Sequence, residues 1–445
     1  MYNKISKNLI YLPIYSYFYK DFRKWLEYYK KEQFLDREIV KKSQFNILKR
    51  NIERSYKYID FYRNKFDSHN ICPSDINTID DLKLMPITTK EEIIEAKNSF
   101  YNLNFHGKRF KRSTSGSSGV PFIFYKDRKT MEKMDAIQYR NFSWFDIDIG
   151  DQQARFWGHP LNYYNRMRVK AMDTLLNRMR ISPFLLEDSK YEEFLIKIKK
   201  FKSKYIYGYS QSIYQLAKYY YNRGIELSFL GLKAVILTGE MIFKDQLKII
   251  ETVFGCIVSE EYGCTEVGII GYKCNCGKMH IMENLIVEQM NDENSQSKSG
   301  EIIVTELFGE LSSFIRYNTK DKGIISSEKC ECGRTSKILS SLEGRRDDLI
   351  SCPNGRLVDP YLFEYINQQM PKKIGTIWQF RIVQNALNRL DINIVATGDI
   401  DKIKKYLLNE SKKVLSSDLI ISIEFVPEIE KEISGKLRCF ISNLN

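Results

Sequence analysis

"KYIYGYSQSIYQLAKYYYNRG" at residues 204–224, with "KAVILTGE" at 233–240, carries the alternation that sets the fold class. "KYIYGY" (204–209) and "KAVILTGE" are short apolar runs ending near glycines, the pattern of buried strands. "SIYQLAKYYYNRG" (212–224) and "KDQLKIIETVFG" (244–255) supply the intervening helices, with apolar residues at helical spacing. Strand alternating with helix predicts an α/β domain with a substantially parallel sheet. Such sheets bind ligands at the carboxyl ends of their strands. "GY", "TGE" and "EEYGCTE" (260–266) all fall at predicted strand ends, so they are expected to line one crevice.

Upstream, residues 36–60 place Ile39, Val40, Phe45, Leu48, Ile52 and Ile59 at helical spacing, with Asp36 as the expected N-cap. "TIDDLKLMPITTKEEIIEAK" (78–97) reads as a short helix, a proline stop and a second helix starting at Thr88 or Thr89. "LIYLPIYSYFY" (9–19) is short, interrupted by Pro13 and rich in tyrosine, so no stable membrane insertion is expected. The N-terminus shows no export signal, and a cytoplasmic location is expected. Downstream of "GRRDDLI" (344–350) the pattern becomes a small β–β–α–β unit. The expectation is a large domain, 1–346, and a small α+β domain, 347–445. A formal charge of +13 invites nucleic acid as a partner, but the lysines are dispersed among acidic residues. No nucleic acid is expected; the field instead suits small polyanions such as nucleotides.

"RSTSGSSGVPFIFYKD" (112–127) lies between two predicted strands. Its hydroxyl and glycine residues offer no core area, but expose backbone N–H groups and hydroxyls that suit phosphate oxygens. It is not the P-loop of nucleotide triphosphatases, since Val120 follows Gly119 where a lysine is required.

Together with "EEYGCTE", "RYNTKD" (316–321), "GRRDD" (344–348) and "SGKLR" (434–438), in that order, the loop resembles the AMP-forming adenylating enzymes. The resemblance is to the phenylacetate–CoA ligase branch and its CapK-like members of polysaccharide biosynthesis, and runs over nearly the whole chain. It implies that Ser113, Thr114, Ser115, Gly116, Ser117, Ser118 and Gly119, with Pro121, cradle the β- and γ-phosphates of ATP. Gly239 and Glu240, with Tyr262 and Gly263, would border the adenine and the acyl pocket. Thr265 would touch the α-phosphate, Glu266 would ligate Mg²⁺, and Asp321 would bind the ribose with Arg345 nearby. Lys436, on a small mobile lid domain hinged at Asp347, would bridge the carboxylate and the α-phosphate. One position departs from the pattern: Lys320 stands before Asp321 where the family usually has glycine.

Nine cysteines in a cytoplasmic chain argue against a disulfide framework. Cys274 and Cys276 in "CNCGKMH" (274–280) and Cys330 and Cys332 in "CECGR" (330–334) form two C-x-C-G knuckles, with His280 close behind the first. They are the pattern of a structural Zn²⁺ site, held by Cys330, Cys332 and two of Cys274, Cys276 and His280. Similar segments occur in the resembled branch.

The implied function is activation of a small-molecule carboxylate by Mg-ATP to acyl-AMP, then transfer of the acyl group, most simply to CoA. Transfer to a sugar amine, an amino acid or a carrier protein is the alternative, as is a silent nucleotide-binding relative. The oligomeric state is not legible. Around the expected acyl pocket, Tyr139, Trp157, His159, Tyr207 and Tyr209 combine flat apolar rings with polar tips. Such groups suit an aryl, amino or sugar-derived acid better than a fatty chain.

Overall fold

The computed structural model describes residues 11, 13, 19–113, 122–158, 163–181, 188–242, 244–291, 298–345, 350–354, 357–358, 360, 363, 366–367, 370–371, 373–415, 418–430 and 439–444. The chain divides into two compact units: 1–319 with 323–342, and 320–322 with 343–445.

In the first unit the helical lead comprises α1 (Phe22–Glu32), α2 (Arg37–Tyr58), α3 (Asp60–Asp67) and α4 (Lys90–Ala96). Asp36 caps α2 by accepting from the Glu38 N–H at 2.9 Å. Thr89 and Glu92 form a reciprocal capping box on α4. The hairpin of β1 (Arg109–Ser113) and β2 (Ile123–Asp127) is antiparallel, and α5 (Arg128–Phe142) follows, capped by Asp127. The next elements are β3 (Gln153–Phe156), α6 (Tyr163–Leu175), β4 (Arg178–Ile181), α7 (Asp188–Phe201) and β5 (Tyr205–Tyr209). α8 (Ser210–Tyr221), β6 (Ala234–Thr238), α9 (Lys244–Phe254) and β7 (Ile257–Cys264) complete the alternation. Both 204–240 strands and both helices therefore stand where the periodicity predicts them. The sheet is wider than that alternation foretold. β8 (Gly268–Lys273), β9 (Met279–Ile281), β10 (Leu285–Met290), β11 (Gly300–Glu306), β12 (Tyr317–Ser326) and β13 (Ile338–Arg345) extend it beyond β7. Among the described residues it has eleven strands, ordered β10-β11-β12-β13-β9-β8-β7-β6-β5-β3-β4. The run from β4 to β7 is parallel, and β7, β8 and β9 pair antiparallel.

The parallel half is buried on both faces, as crossover helices require. One face carries Ala154, Phe156, Ile206, Val235, Leu237 and Val258, packed with residues of α7, α8 and α9. The opposite face carries Tyr205, Tyr207, Ala234 and Ile236, packed against Phe22 and Leu26 of α1 and Ile137 and Phe142 of α5. A side chain at Gly208 would put its Cβ 2.3 Å from the Phe156 carbonyl oxygen, so only glycine lets β5 lie this close to β3. A third core joins α2 and α3 to β10, β11 and β12 through Leu48, Ile52, Phe66, Ile302, Val304 and Tyr317.

The second unit holds a short β14 (Ile350–Ser351) and β15 (Leu357–Val358) pair. Its main sheet is built from β16 (Gly375–Ala386), β17 (Arg389–Gly398), β18 (Ile420–Phe425) and β19 (Phe440–Ser442), in the order β18-β17-β16-β19. α10 (Ile400–Val414) is capped by Asp399 and buries Ile403 and Leu407 with Ile382, Leu390 and Ile392. The expected β–β–α–β order is present, and β19 adds a strand parallel to β16.

Candidate active site and cysteine–histidine centre

In a parallel sheet in register, residues of equal parity share a face. Arg155 pairs with Tyr207, Tyr207 with Ile236 and Ile236 with Ser259. Two residues further on, Tyr209 pairs with Thr238 and Thr238 with Glu261. The ends of β5, β6 and β7 therefore stand side by side, with "GY", "TGE" and "EYGCTE" at adjacent strand termini, the arrangement expected of a crevice.

Gly239 has a φ of +82°, the left-handed conformation that suits glycine where β6 turns away. The Glu240 carboxylate accepts from the Gln211 N–H at 2.9 Å at the start of α8, where the helix favours a negative charge. Gly263 lies where a Cβ would meet the Gly268 carbonyl oxygen at 2.3 Å, so the β7–β8 turn needs its bare backbone. Within that turn Thr265 is half-buried and Glu266 is buried. Glu266 Oε1 accepts from the Tyr317 hydroxyl at 3.0 Å, which fixes the carboxylate from β12. A buried, oriented carboxylate of this kind is a hard oxygen donor that fits Mg²⁺.

Asp321 is half-buried on β12. Its neighbour Lys320 has a φ of +62°, so the backbone keeps the left-handed conformation that glycine would adopt freely. Ser113 ends β1, but residues 114–121 lie outside the described residues, as do His159, Asp347 and Lys436. Arg345 ends β13; its side chain is not described.

The aromatic set is partly core. Tyr139 and Tyr207 pack into the α1–α5 layer, and Tyr139 accepts from Arg178 at 3.1 Å. Trp157 stacks on Tyr209 with ring centroids 4.5 Å apart and on Tyr207 at 5.8 Å. Two polar groups in this layer were not singled out from the sequence: Arg155 and Glu261. Burial raises the Glu261 carboxyl above the usual range, while Tyr207 and Thr238 donate to its Oε1, each at 3.0 Å.

The cysteine knuckles meet. Ligand atoms of Cys274, His280, Cys330 and Cys332 all lie within 4.8 Å of one another. The Cys274 and Cys330 sulfurs are 3.7 Å apart, and Cys332 Sγ lies 3.2 Å from His280 Nε2. Tetrahedral zinc with bonds of about 2.3 Å to sulfur needs sulfur–sulfur edges of about 3.8 Å, so the donor set fits that metal. Cys276 is exposed and is not among the four residues whose ligand atoms converge, so of the three candidates beside Cys330 and Cys332 the structure brings in Cys274 and His280. Both knuckles make the same turn. Gly277 N–H donates to the Cys274 carbonyl at 2.9 Å, Gly333 N–H to the Cys330 carbonyl at 3.1 Å, and both glycines have φ near +78° (+77° and +79°). His280 Nδ1 faces Ser336 Oγ at 3.1 Å, which orients the ring. Burial, and then Arg334, push the His280 imidazolium down to about 4, leaving the neutral ring that a metal requires. Arg334 also stacks on Trp144, 3.9 Å from its centroid, and donates to Gln33 Oε1 at 3.1 Å.

Residues 350–443 match the CapK C-terminal domain. Protein CapK of Staphylococcus aureus is 22% identical over 414 residues, covering 90% of this chain and 89% of that one. The phenylacetate-coenzyme A ligase of Thermus thermophilus is 21% identical over 414 residues, covering 91% of each chain. Among solved structures, 2-hydroxyisobutyryl-CoA ligase in complex with 2-HIB-AMP superposes with a TM-score of 0.71 at 18% identity, covering 93% of this chain and 91% of that one. No helix among the described residues is long and apolar enough to cross a membrane.

Proposed function

We propose that this chain, a relative of CapK and the phenylacetate–coenzyme A ligases with the fold of adenylate-forming ligases, activates a small carboxylic acid with ATP. The acid's carboxylate oxygen attacks the α-phosphorus, the bond to the β-phosphate breaks, and pyrophosphate leaves. The thiolate of CoA then attacks the acyl carbon and AMP departs. The observation that carries this reading is the side-by-side placement of the ends of β5, β6 and β7, which brings "TGE" next to "EYGCTE".

The attack brings two anions together, so fixed positive charge and oriented donors do most of the work. Mg²⁺ supplies charge neutralisation when bound, and Glu266, Oε1 anchored by Tyr317, would be its protein ligand. Hydroxyls and backbone N–H groups of Ser113–Gly119 would hold the outer phosphates, and Thr265 the α-phosphate. Tyr262, Gly263, Gly239 and Glu240 would border the adenine and acyl group; Asp321, with Arg345, would hold the ribose. Lys436 would neutralise the reacting carboxylate and α-phosphate, then withdraw with a mobile small domain hinged at Asp347. ATP and CoA are available in the cytoplasm, where this chain would work. A sugar amine, amino acid or carrier protein in polysaccharide biosynthesis is the competing acceptor.

A zinc ion on Cys274, His280, Cys330 and Cys332 would be structural, since it ties the β8–β9 turn to the segment before β13 within the large unit.

The test is pyrophosphate release across a carboxylate panel, with and without CoA. Lys436→Ala is expected to abolish pyrophosphate release while leaving thioesterification of preformed acyl-AMP largely intact. Equal loss of both half-reactions in a folded variant counts against the two-step reading, and ATP-dependent transfer to CoA without AMP formation refutes it.

A further inference from the structure

Arg155 lies on β3 with its guanidinium carbon 4.8 Å from the Trp157 ring centroid and 5.4 Å from that of Tyr207. Its Nε is buried and has no hydrogen-bond partner among the described residues. On the same face of the sheet, Glu261 Oε2 is also buried and unpartnered, while its Oε1 is fixed by Tyr207 and Thr238. Gln138 donates to the Tyr207 hydroxyl at 3.2 Å, so the bridging tyrosine is held from α5 as well. A buried donor and a buried acceptor left open cost stability unless something else fills them. They are linked through one tyrosine, at the strand ends where the acyl group is proposed to lie.

The surrounding charge says what kind of group fits. Arg112, Arg155 and Arg178 all act on Asp135, Arg155 acts on Glu261, and the Arg180–Asp173 ion pair beside Arg155 adds one charge of each sign, so four cations face three carboxylates. That balance disfavours an ammonium group on the ligand and favours neutral hydroxyls or additional oxygen acceptors. A hydroxyl serves both open atoms, since it accepts from a guanidinium and donates to a carboxylate. The stacked rings of Trp157, Tyr207 and Tyr209 present flat apolar surface on the same face of the sheet.

We propose that Arg155 and Glu261 select the acid, and that the substrate is a hydroxylated carboxylic acid whose hydroxyls engage Arg155 Nε and Glu261 Oε2. The inference rests on the adenylation reading and sharpens it: unsubstituted alkyl, aryl and amino acids become poor substrates.

The experiment uses the full chain with glycerate, gluconate and glucuronate against butyrate, decanoate, phenylacetate and alanine. It reads pyrophosphate release and, on the same preparations, calorimetric binding of each acid. The hydroxylated acids are expected to give the highest kcat/KM. Arg155→Met and Glu261→Gln should each raise KM for them at least tenfold more than for butyrate, the scale of a lost hydrogen bond to a charged group. Arg155→Lys, which keeps the charge but not the fork, should be intermediate and serves if Arg155→Met does not fold. Preference for an unsubstituted or amino acid overturns the proposal while leaving adenylation standing. So does an equal KM shift for every acid, or no binding of any hydroxylated acid. Arg155-dependent binding of hydroxylated acids without pyrophosphate release has the opposite meaning: the selection stands and the adenylation reading falls.

Discussion

Replacing Cys332 by serine removes one of four donors from the cysteine–histidine centre, and replacing Cys276 removes none. The two changes are chemically identical and lie in twin knuckles, so their difference isolates the metal. A structural zinc contributes on the order of 10 kcal/mol, comparable to the 5–15 kcal/mol that holds a whole domain. An equal share puts each donor at about 2–3 kcal/mol. In a unit of this size about 1 kcal/mol moves the melting temperature by about 2 °C, so Cys332→Ser should lower it by about 5 °C. Cys276→Ser, at an exposed position outside the cluster, should stay within about 1 °C. Free zinc supplies a second reading of the same quantity. Each tenfold decrease, set by a chelator buffer, should lower the melting temperature of the native chain by about 3 °C. Elemental analysis should give one zinc per chain, lost in part from the Cys332 variant. Equal destabilisation by the two substitutions refutes the geometry, and a melting temperature indifferent to the chelator refutes the metal.

Two further outcomes test backbone and charge. Lys320 holds a left-handed φ of +62°, which costs a residue with a side chain about 1 kcal/mol relative to glycine. Lys320→Gly should therefore be about 1 kcal/mol more stable to urea than Lys320→Ala, and equal stability removes the claim of strain there. Burial pushes the Glu32 carboxyl up to about 7, with Glu283 adding to it, and its Oε2 is buried without a partner. Because the folded state holds this proton more tightly, its contribution is complete below about pH 4.5 and is lost as pH rises through about 7. Glu32→Gln should gain up to about 3 kcal/mol on the native chain at pH 8 and nothing at pH 4.5; parallel stability curves for the two proteins sink the assignment.

What the sequence disclosed follows from the range of each interaction. Asp36 was legible as a cap because a cap acts on amides two or three residues away, whereas at α4 the sequence left the start open between Thr88 and Thr89. β5 and β6 were legible because strands buried on both faces are continuous apolar runs. The two knuckles were visible in the spacing, but not the choice among Cys274, Cys276 and His280. That choice depends on how β9 brings His280 alongside a turn about fifty residues later, which the spacing alone does not give. Arg155 and Glu261 were illegible for a related reason. Each sits in an aromatic or acidic string that reads as ordinary, and they become partners only once β3, β5, β6 and β7 are in register. The extension from β8 to β13 was not read from the sequence, although β10 to β13 run six to ten residues each, because no helices among the described residues alternate with these strands to mark them off.

The contacts of α1 and α2 with the second knuckle set a clock on synthesis. Gln33 accepts from Arg334, 301 residues further along, and Arg37 donates to the carbonyl of Thr335, 298 residues away. A ribosome adding about 5–20 residues per second emits the N-terminal helices roughly 15–60 s before these partners exist. For that interval Trp25, Tyr28 and Tyr29 have no finished surface to close on, and the last-made part of the large unit completes the first-made.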